Sequence, residues 1–361
     1  MKGDSTLQRA IYGAVKSKIL DGTFGASRLP SERELAAEFG VARSTLTRVL
    51  TELEHDGLVV RRQGLGTFVT RKGLSRKIGL LVPETATSEF FTRIVHEISR
   101  LCQQEGYTLL FAEIATHDIV RRALQAERVA KDLVAQGVSG VIFSPVEHIA
   151  ESEAVNRRIL STFDRAKVPV VLCDYDFAPY PARSTYDVVS VDNFEAGARL
   201  YEYLYARGAR NVHFHTLPHT ARSHQNRLRG VIAACVQRRG KWTARNELIV
   251  DPYDMAAVRR HLRRSRPDAI ICGNDNLAVM LDQTLAKLGY RVPQDILVTG
   301  FNDVSIARLS TPTVTTMHQP CADIGAVAFR RLISRMADPA LPTTTLLLSA
   351  ALVERESTSG S

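Results

Sequence analysis

Two hydrophobic rhythms divide the chain. Over the first 70 residues apolar positions recur at helical spacing, then briefly alternate. In LQRAIYGAVKSKIL (7–20), Leu7, Ile11, Ala14, Val15 and Ile19 share one helical face. The glycines of DGTFG punctuate its end. In RLPSERELAAEFG, Pro30 holds back the start of a second helix. Ser31 is placed to cap that helix, and Glu34 three residues on completes a capping box. Leu35, Ala36 and Phe39 form its inward face, and Gly40 ends it. After a short turn, RSTLTRVLTELEHDG carries Leu46, Val49, Leu50 and Leu53 as a buried stripe, with Ser44 as the expected cap. LVVRRQGLGTFVT then alternates around Gly64-Leu65-Gly66, the pattern of a two-stranded hairpin. Residues 70–77, TRKGLSRK, hold one apolar residue and read as a linker.

From residue 78 the rhythm changes. Strand-like runs occur at 78–83, 107–113, 140–145, 168–176, 188–192, 211–217, 269–274 and 296–301. Helical patterns fall between them at 91–105, 121–136, 194–207, 224–239 and 276–288. Buried strands alternating with helices predict α/β architecture, with parallel sheets covered on both faces. The polar stretch near 177–187 is expected to separate two such sheets, with a second crossing near 304–340.

Composition adds a boundary. The 361 residues carry a net charge of +9. Residues 1–77 contain fourteen Lys/Arg and eight Asp/Glu, so this small module holds +6 and the rest only +3. A basic module on a nearly neutral body is the footprint of nucleic-acid binding. No run of 18 apolar residues suits a membrane span. The start, Met1-Lys2-Gly3-Asp4-Ser5, does not read as a signal peptide, so the expected compartment is the cytoplasm. Five separated cysteines, Cys102, Cys173, Cys235, Cys272 and Cys321, show no CxxC spacing and are expected as buried free thiols.

Two short helices joined by a tight turn form a helix-turn-helix. The second helix of such a unit presents its N-terminal residues to base edges in the major groove. Here these are Arg43, Ser44, Thr45, Thr47 and Arg48. Arg61 and Arg62 lie beside the hairpin tip, suited to phosphate. The stretch LPSERELAAEFGVARSTLTRVLTELEHDGLVVRRQGLGTFV resembles the winged helix-turn-helix of the GntR family over about 65 residues. The resemblance implies that Arg33 and Arg43 reach DNA. It implies that Ser44 and Thr45 cap and contact the recognition helix, and that Gly64 and Gly66 bring the wing to the minor groove. Ser31, Arg62 and Thr67 complete the expected DNA-binding set. One position departs from the pattern: many members carry arginine where this chain has Thr47, and Arg48 lies about 100° further round.

Ligands bind beyond the C-terminal ends of parallel strands. Polar residues gather at those ends: Ser144, Asp174, Asp176, Asn274-Asp275 and Asn302-Asp303. Carboxylates and amides suit hydroxyls, and Phe91, Tyr175 and Tyr253 are candidate platforms for the apolar face of a ring. The segments VSVDNFEAGARL, SHQNRLRG, PDAIICGNDNLAVMLDQTLAKLGYRVPQDILVTGFND, TVTTMHQP and LVERES resemble the effector domain of the LacI family, over almost all of 78–356. That implies a two-lobed periplasmic-binding-protein-like fold. It implies Arg227 as the main hydroxyl ligand, with Asn274 or Asp275, Asn302 and Gln319 lining the cleft. Glu195 and Ser223, inside two of these segments, join the expected set. The pair usually begins with aspartate, where this chain has Asn302. A GntR-type head in place of the LacI-type one resembles arabinose-repressor-like hybrids, which implies a pentose.

The expected organisation is therefore a winged head at 1–70, a linker at 71–77 and an effector-binding and dimerising body at 78–356. The expected partners are double-stranded DNA with a palindromic operator, a sugar effector and a second copy of the chain, with no membrane. Two other classes compete. A transport-system solute-binding protein conflicts with the basic head and the N-terminus. An enzyme finds no GxGxxG, P-loop, GxSxG or HExxH. No cofactor, metal or catalytic residue is expected, although His213, His215, His219 and His224 lie close in sequence. Within the regulator class a purine is the alternative effector.

Overall fold

The computed structural model describes residues 2–20, 23–24, 28–70, 77–83, 88–114, 119–147, 149 and 151–359. The expected linker at 71–77 thus lies outside the described residues except for Lys77. The molecule divides into two compact units. One holds Met1–Gly79, Ser99–Leu110 and Ala135–Ser139, and the other holds Leu80–Ile98, Phe111–Val134 and Gly140–Ser361.

The N-terminal module contains α1 (Lys2–Leu20), α2 (Glu32–Glu38), α3 (Arg43–His55), β1 (Val59–Arg62) and β2 (Gly66–Val69). Ile11, Val15 and Ile19, one helical turn apart, bury against Leu35 of α2 and against Leu46, Val49, Leu50 and Leu53 of α3. Burying each such side chain contributes about 1.5–3 kcal/mol, enough to hold helices too short to persist alone. The capping box forms: Ser31 N–H donates to Glu34 Oε2 at 2.7 Å and Glu34 N–H to Ser31 Oγ at 3.3 Å. β1 and β2 pair antiparallel, Val59 opposite Val69 and Arg62 opposite Gly66. Gly64 and Gly66 take positive φ at the turn. At Gly66 a Cβ would stand 2.5 Å from the Arg28 guanidinium.

One expectation for this module fails. Ser44 does not cap α3. The helix starts two residues earlier with Ala42 as N-cap and no side-chain cap, and Thr45 N–H and Leu46 N–H both bond to Ala42 O. The buried stripe from Leu46 to Leu53 holds the helix, so its first turn forms without a hydroxyl cap.

The body carries a six-stranded sheet in the order β13-β7-β6-β5-β3-β4. Its strands are β3 (Lys77–Pro83), β4 (Thr108–Ile114), β5 (Val138–Phe143), β6 (Val170–Cys173), β7 (Asp187–Val191) and β13 (Thr345–Leu348). The pairs β5–β6, β6–β7 and β7–β13 are parallel. A second sheet has the order β11-β10-β8-β9, parallel throughout. It is built from β8 (Val212–Thr216), β9 (Glu247–Ile249), β10 (Ala269–Cys272) and β11 (Leu297–Thr299). β12 (Thr316–His318) and β14 (Ala351–Val353) form a separate antiparallel pair. The helices are α4 (Glu89–Glu105), α5 (Ile119–Ala135), α6 (Ser152–Arg165), α7 (Asn193–Ala206), α8 (Arg222–Gln237), α9 (Met255–Ser265), α10 (Asp275–Lys287), α11 (Ser305–Leu309) and α12 (Cys321–Ala337).

The stretch at 177–187 does not separate the sheets. β7 follows it and pairs with β6, so the chain leaves the first sheet only after Val191. All five β7 residues are buried, as are those of β8, and such a strand reads alike in either sheet. Asp187 places β7: its carboxylate meets Arg331 at 2.8 Å and Arg335 at 2.9 Å, both on α12. Burial alone would raise its pKa, but the two guanidiniums and Thr344 N–H bring it below the usual carboxylate range. The chain rejoins the first sheet through α12 and β13. It then crosses a third time, because β14 pairs with β12 and Ser357 Oγ donates to Val298 O at 2.6 Å.

Two glycines explain the motif spacing around α7 and α8. A Cβ on Gly197 would lie 2.1 Å from Arg227 O, and one on Gly230 would lie 1.9 Å from Phe194 O. The two helix backbones touch there, and only glycine fits.

Candidate functional sites in the head and in the body

The head presents a groove of about 620 Å³ between the start of α2, the start of α3 and the wing. Arg28, Arg33, Arg43, Arg61 and Arg62 line it. Arg33, Arg43, Ser44, Arg48, Arg62 and Gly64 are exposed, as the DNA-facing reading requires. Arg62 also lies over the Phe68 ring, 5.3 Å from its centroid. Arg28 is an arginine that the sequence reading missed. Its place between α1 and α2 carries no motif, and only folding returns it to the wing.

Glu32 reorganises the rest. Its carboxylate pairs with Arg61, accepts Thr47 Oγ1 at 3.1 Å and lies 3.6 Å from Arg43 Nε. Arg61 is thereby tied inward and is not a free phosphate ligand. The Thr47 hydroxyl also reaches back along its own helix to Arg43 O at 2.9 Å. A threonine inside a helix reaches the carbonyl four residues back, so the Thr47 hydroxyl is engaged within the head. Thr67 lines the same groove but is buried at 8% exposure, and its carbonyl accepts Leu29 N–H.

In the body, α8 sets Ser223 and Arg227 one turn apart on its inward face, exposed by only 2% and 3%. Arg227 Nε donates to Asn193 Oδ1 at 2.8 Å and Nη1 to Gly273 O at 2.5 Å. Its guanidinium lies over Phe301, 3.6 Å from the ring centroid. Burial pulls its pKa down to about 10, against the field of Asp174, Glu147 and Asp275. Asp174 sits at the end of β6 with φ +82°. Burial and then Glu147 push its carboxyl up to about 7, while Arg227 opposes.

Gln319 Nε2 donates to Asn302 Oδ1 at 2.7 Å, so the amide pair expected from the sequence does meet. Asn302 and Asp303 then part: Asp303 turns to His318 at 3.0 Å and to Arg355. Ser144 Oγ and Gln319 Oε1 are buried without a partner. A buried polar atom left unpaired costs about 1–3 kcal/mol, which a ligand hydroxyl can relieve. Phe91 is buried beside Phe90 with ring centroids 4.9 Å apart. Tyr175 Oη donates to Pro145 O at 3.1 Å. It borders a 170 Å³ cavity with Glu147, Asn156, Arg222 and Gln225.

Four expected ligands are placed otherwise. Asp275 is fully buried, with Oδ1 accepting Thr316 Oγ1 at 2.6 Å and Oδ2 accepting Val304 N–H at 2.9 Å. It ties α10 to the segment after β11, and burial pushes its carboxyl up to about 6. Asn274 Oδ1 caps α10 by accepting Leu277 N–H at 2.9 Å. Glu195 meets Arg199 at 3.3 Å, one turn along α7, and its second oxygen is buried without a partner. Asn193, two residues earlier, is the one that holds Arg227. Tyr253 is half exposed and bonds to Gln283 at 3.4 Å. Asp176 closes its own loop, accepting Ala178 N–H and Ser184 N–H at 2.9 Å each.

Asn193, Glu147, Phe301 and Arg222 are the residues sequence reasoning missed. Asn193 and Phe301 lie inside the quoted motifs and could have been read there. Arg222 bridges the lobes, donating to Phe177 O at 2.9 Å and lying 3.6 Å from Glu153. The histidines disperse. His213 Nδ1 meets His261 Nε2 at 2.7 Å, His215 Nε2 donates to Val250 O at 3.1 Å, and His224 bonds to Thr220 at 2.7 Å. Among the described residues no group of three metal-ligating side chains could hold an ion. All five cysteines are free and buried.

A winged basic head and a two-lobed body with a polar cleft define a ligand-responsive transcription regulator. More particularly, the chain joins a GntR-type helix-turn-helix domain to a periplasmic-binding-protein-like domain. Residues 7–69 match the bacterial regulatory proteins of the gntR family, and residues 201–358 match the periplasmic binding protein-like domain. The chain is 27% identical over 320 residues to the arabinose metabolism transcriptional repressor of Geobacillus stearothermophilus, covering 85% of this chain and 84% of that one. It is 28% identical over 285 residues to the ribose operon repressor of Escherichia coli strain K12, covering 78% and 81%. A crystal structure of the transcription regulator GntR from Chromobacterium violaceum superposes with a TM-score of 0.63 at 25% identity, covering 79% of this chain and 100% of that chain. Among the described residues no helix is long and apolar enough to cross a membrane.

Proposed function

We propose that the protein is a cytoplasmic, homodimeric repressor of sugar-utilisation genes. Its head, residues 1–70, holds a palindromic operator through Arg28, Arg33, Arg43, Arg48 and Arg62, with the Gly64–Gly66 tip at the minor groove. Residues 71–77 link it to the body, 78–356. There a sugar is held by Arg227, Asp174, Asn302, Gln319 and Ser144. The carrying observation is that Ser144 Oγ and Gln319 Oε1 are buried without a partner, in a body that also buries the interacting charges of Asp174 and Arg227. Hydroxyl groups satisfy carboxylate, amide and guanidinium together, whereas a purine offers few. The relatives named for arabinose and ribose support the same class of effector. The site binds and does not turn over its ligand. Sugar favours the closed arrangement of the lobes and, in a dimer, changes the spacing of the two heads through differential affinity for the two states.

A thermal-shift screen of pentoses, hexoses, sugar phosphates and nucleobases tests the effector. A ligand at 100 times its dissociation constant stabilises by about 2.7 kcal/mol. Fluorescence anisotropy with promoter fragments tests the head in parallel. Stabilisation by nucleobases alone would overturn the sugar assignment while leaving DNA binding intact.

A further inference from the structure

The body's positive charge is not spread. Residues 78–361 hold thirty-three Lys/Arg against thirty Asp/Glu. Five of those cations, Arg259, Arg260, Arg263, Arg264 and Arg266, fall within residues 255–266, which contain no acid. Without them the body is net acidic. All five are exposed, and among the described residues none meets a carboxylate. Five other arginines of the body do: Arg157, Arg158, Arg207, Arg238 and Arg291 each pair with Glu or Asp.

Helix α9 cannot turn this face away. Its other side buries Ala257, Val258 and Leu262 in the core. Arg259 and Arg263 form one row, and Arg260 and Arg264 a second, each with about 6 Å of rise between its members. Like charges four apart disfavour a helix, so the arrangement is relieved by an anion. Two concavities adjoin these rows. One of 490 Å³ is lined by Ala256 and the four arginines of α9. The other, 280 Å³, lies between α9 and β9, lined by Arg260, Arg264, His261, Ile249 and Glu247, whose carboxylate accepts Trp242 Nε1–H at 3.3 Å. β9 is the outermost strand of its sheet, and Ile249 on it is 49% exposed.

We propose that this face is a docking site for an extended acidic segment of a partner polypeptide. The chain would lie along the open side of β9, as strands add to exposed edges, with carboxylates against Arg260 and Arg264 and apolar side chains beside Ile249. The free edge of β9, which can pair with an added strand, favours a polypeptide over a nucleic-acid duplex. The proposal goes beyond operator and effector binding and does not depend on either.

The test uses the full chain and a fluorescein-labelled octapeptide of alternating Glu and Val, with alternating Lys and Val as control. The expected result is salt-sensitive binding of the acidic peptide alone, weakened at least about tenfold in R260E/R264E. The melting temperature should not change, because both side chains are exposed. Random-sequence duplex DNA is titrated beside it. Absence of peptide binding, equal binding to the variant, or a variant that loses duplex and not peptide would overturn the proposal. The last outcome would make the surface a nucleic-acid contact.

Discussion

Replacing Asp174 by asparagine should make the protein more stable and less responsive to its effector. Asp174 is 7% exposed and its carboxyl titrates at about 7, against an ordinary value near 3.8. A rise of about three units at 1.36 kcal/mol each is a penalty of up to about 4 kcal/mol for holding the buried ionised form. The sign follows from the direction of the shift. Below pH 3.8 both states are protonated and the penalty is absent. Between 3.8 and 7 the unfolded chain releases the proton and the folded one keeps it, so stability falls by about 1.4 kcal/mol per unit. Above 7 the full loss has been taken. An asparagine side chain has the same shape, carries no charge and tolerates the positive φ found at this position. D174N should therefore unfold at higher urea than the native protein at pH 8 and converge with it at pH 4. Its thermal shift with the sugar that stabilises the native protein should fall by more than half, because an amide replaces a charged hydrogen-bond acceptor. Urea melts at both pH values with and without that sugar give all four numbers. A variant less stable than native at pH 8, or one with an unchanged sugar shift, would refute the reasoning.

Other outcomes follow from the same geometry. His215 is fully buried, and burial lowers its pKa to about 4 from 6.5. Its neutral form is required for folding, so its contribution is intact above pH 6.5 and up to about 3 kcal/mol is lost as pH falls towards 4. H215Q should flatten the urea midpoint against pH over that range. Gly230→Ala places a Cβ 1.9 Å from Phe194 O and should cost about 1–3 kcal/mol by calorimetry, with loss of the sugar shift as Arg227 is displaced. Arg43→Ala should reduce the salt slope of DNA binding by about 0.9. Ser31→Ala should leave that slope unchanged and lower the stability of the head by about 1 kcal/mol.

The parts of this protein legible in its sequence are those set within one turn or one strand. The capping box at Ser31 and Glu34, the stripe from Leu46 to Leu53 and the glycine-tipped wing depend on neighbours a few residues away, and each appears where the pattern puts it. The eight strand-like runs of the body also become strands, because a buried apolar run needs no partner to be recognised.

What only the tertiary structure decided is partnership. A run such as VVSVD carries no mark of the sheet it joins. Asp187 and two arginines of a distant helix settle that β7 belongs to the first sheet. The polar residues at strand ends divide in the same way. Asn302 meets Gln319 and Asp174 feels Arg227, while Asp275 is held by Thr316 and Val304, forty-one and twenty-nine positions away. Asp275 and Asn193 are both polar residues at a helix start, and sequence alone cannot tell which turns to Arg227 and which to the scaffold. Local periodicity is a property of the chain, because burial repeats with helix or strand geometry. Which buried polar group meets a ligand and which meets the protein depends on long-range packing.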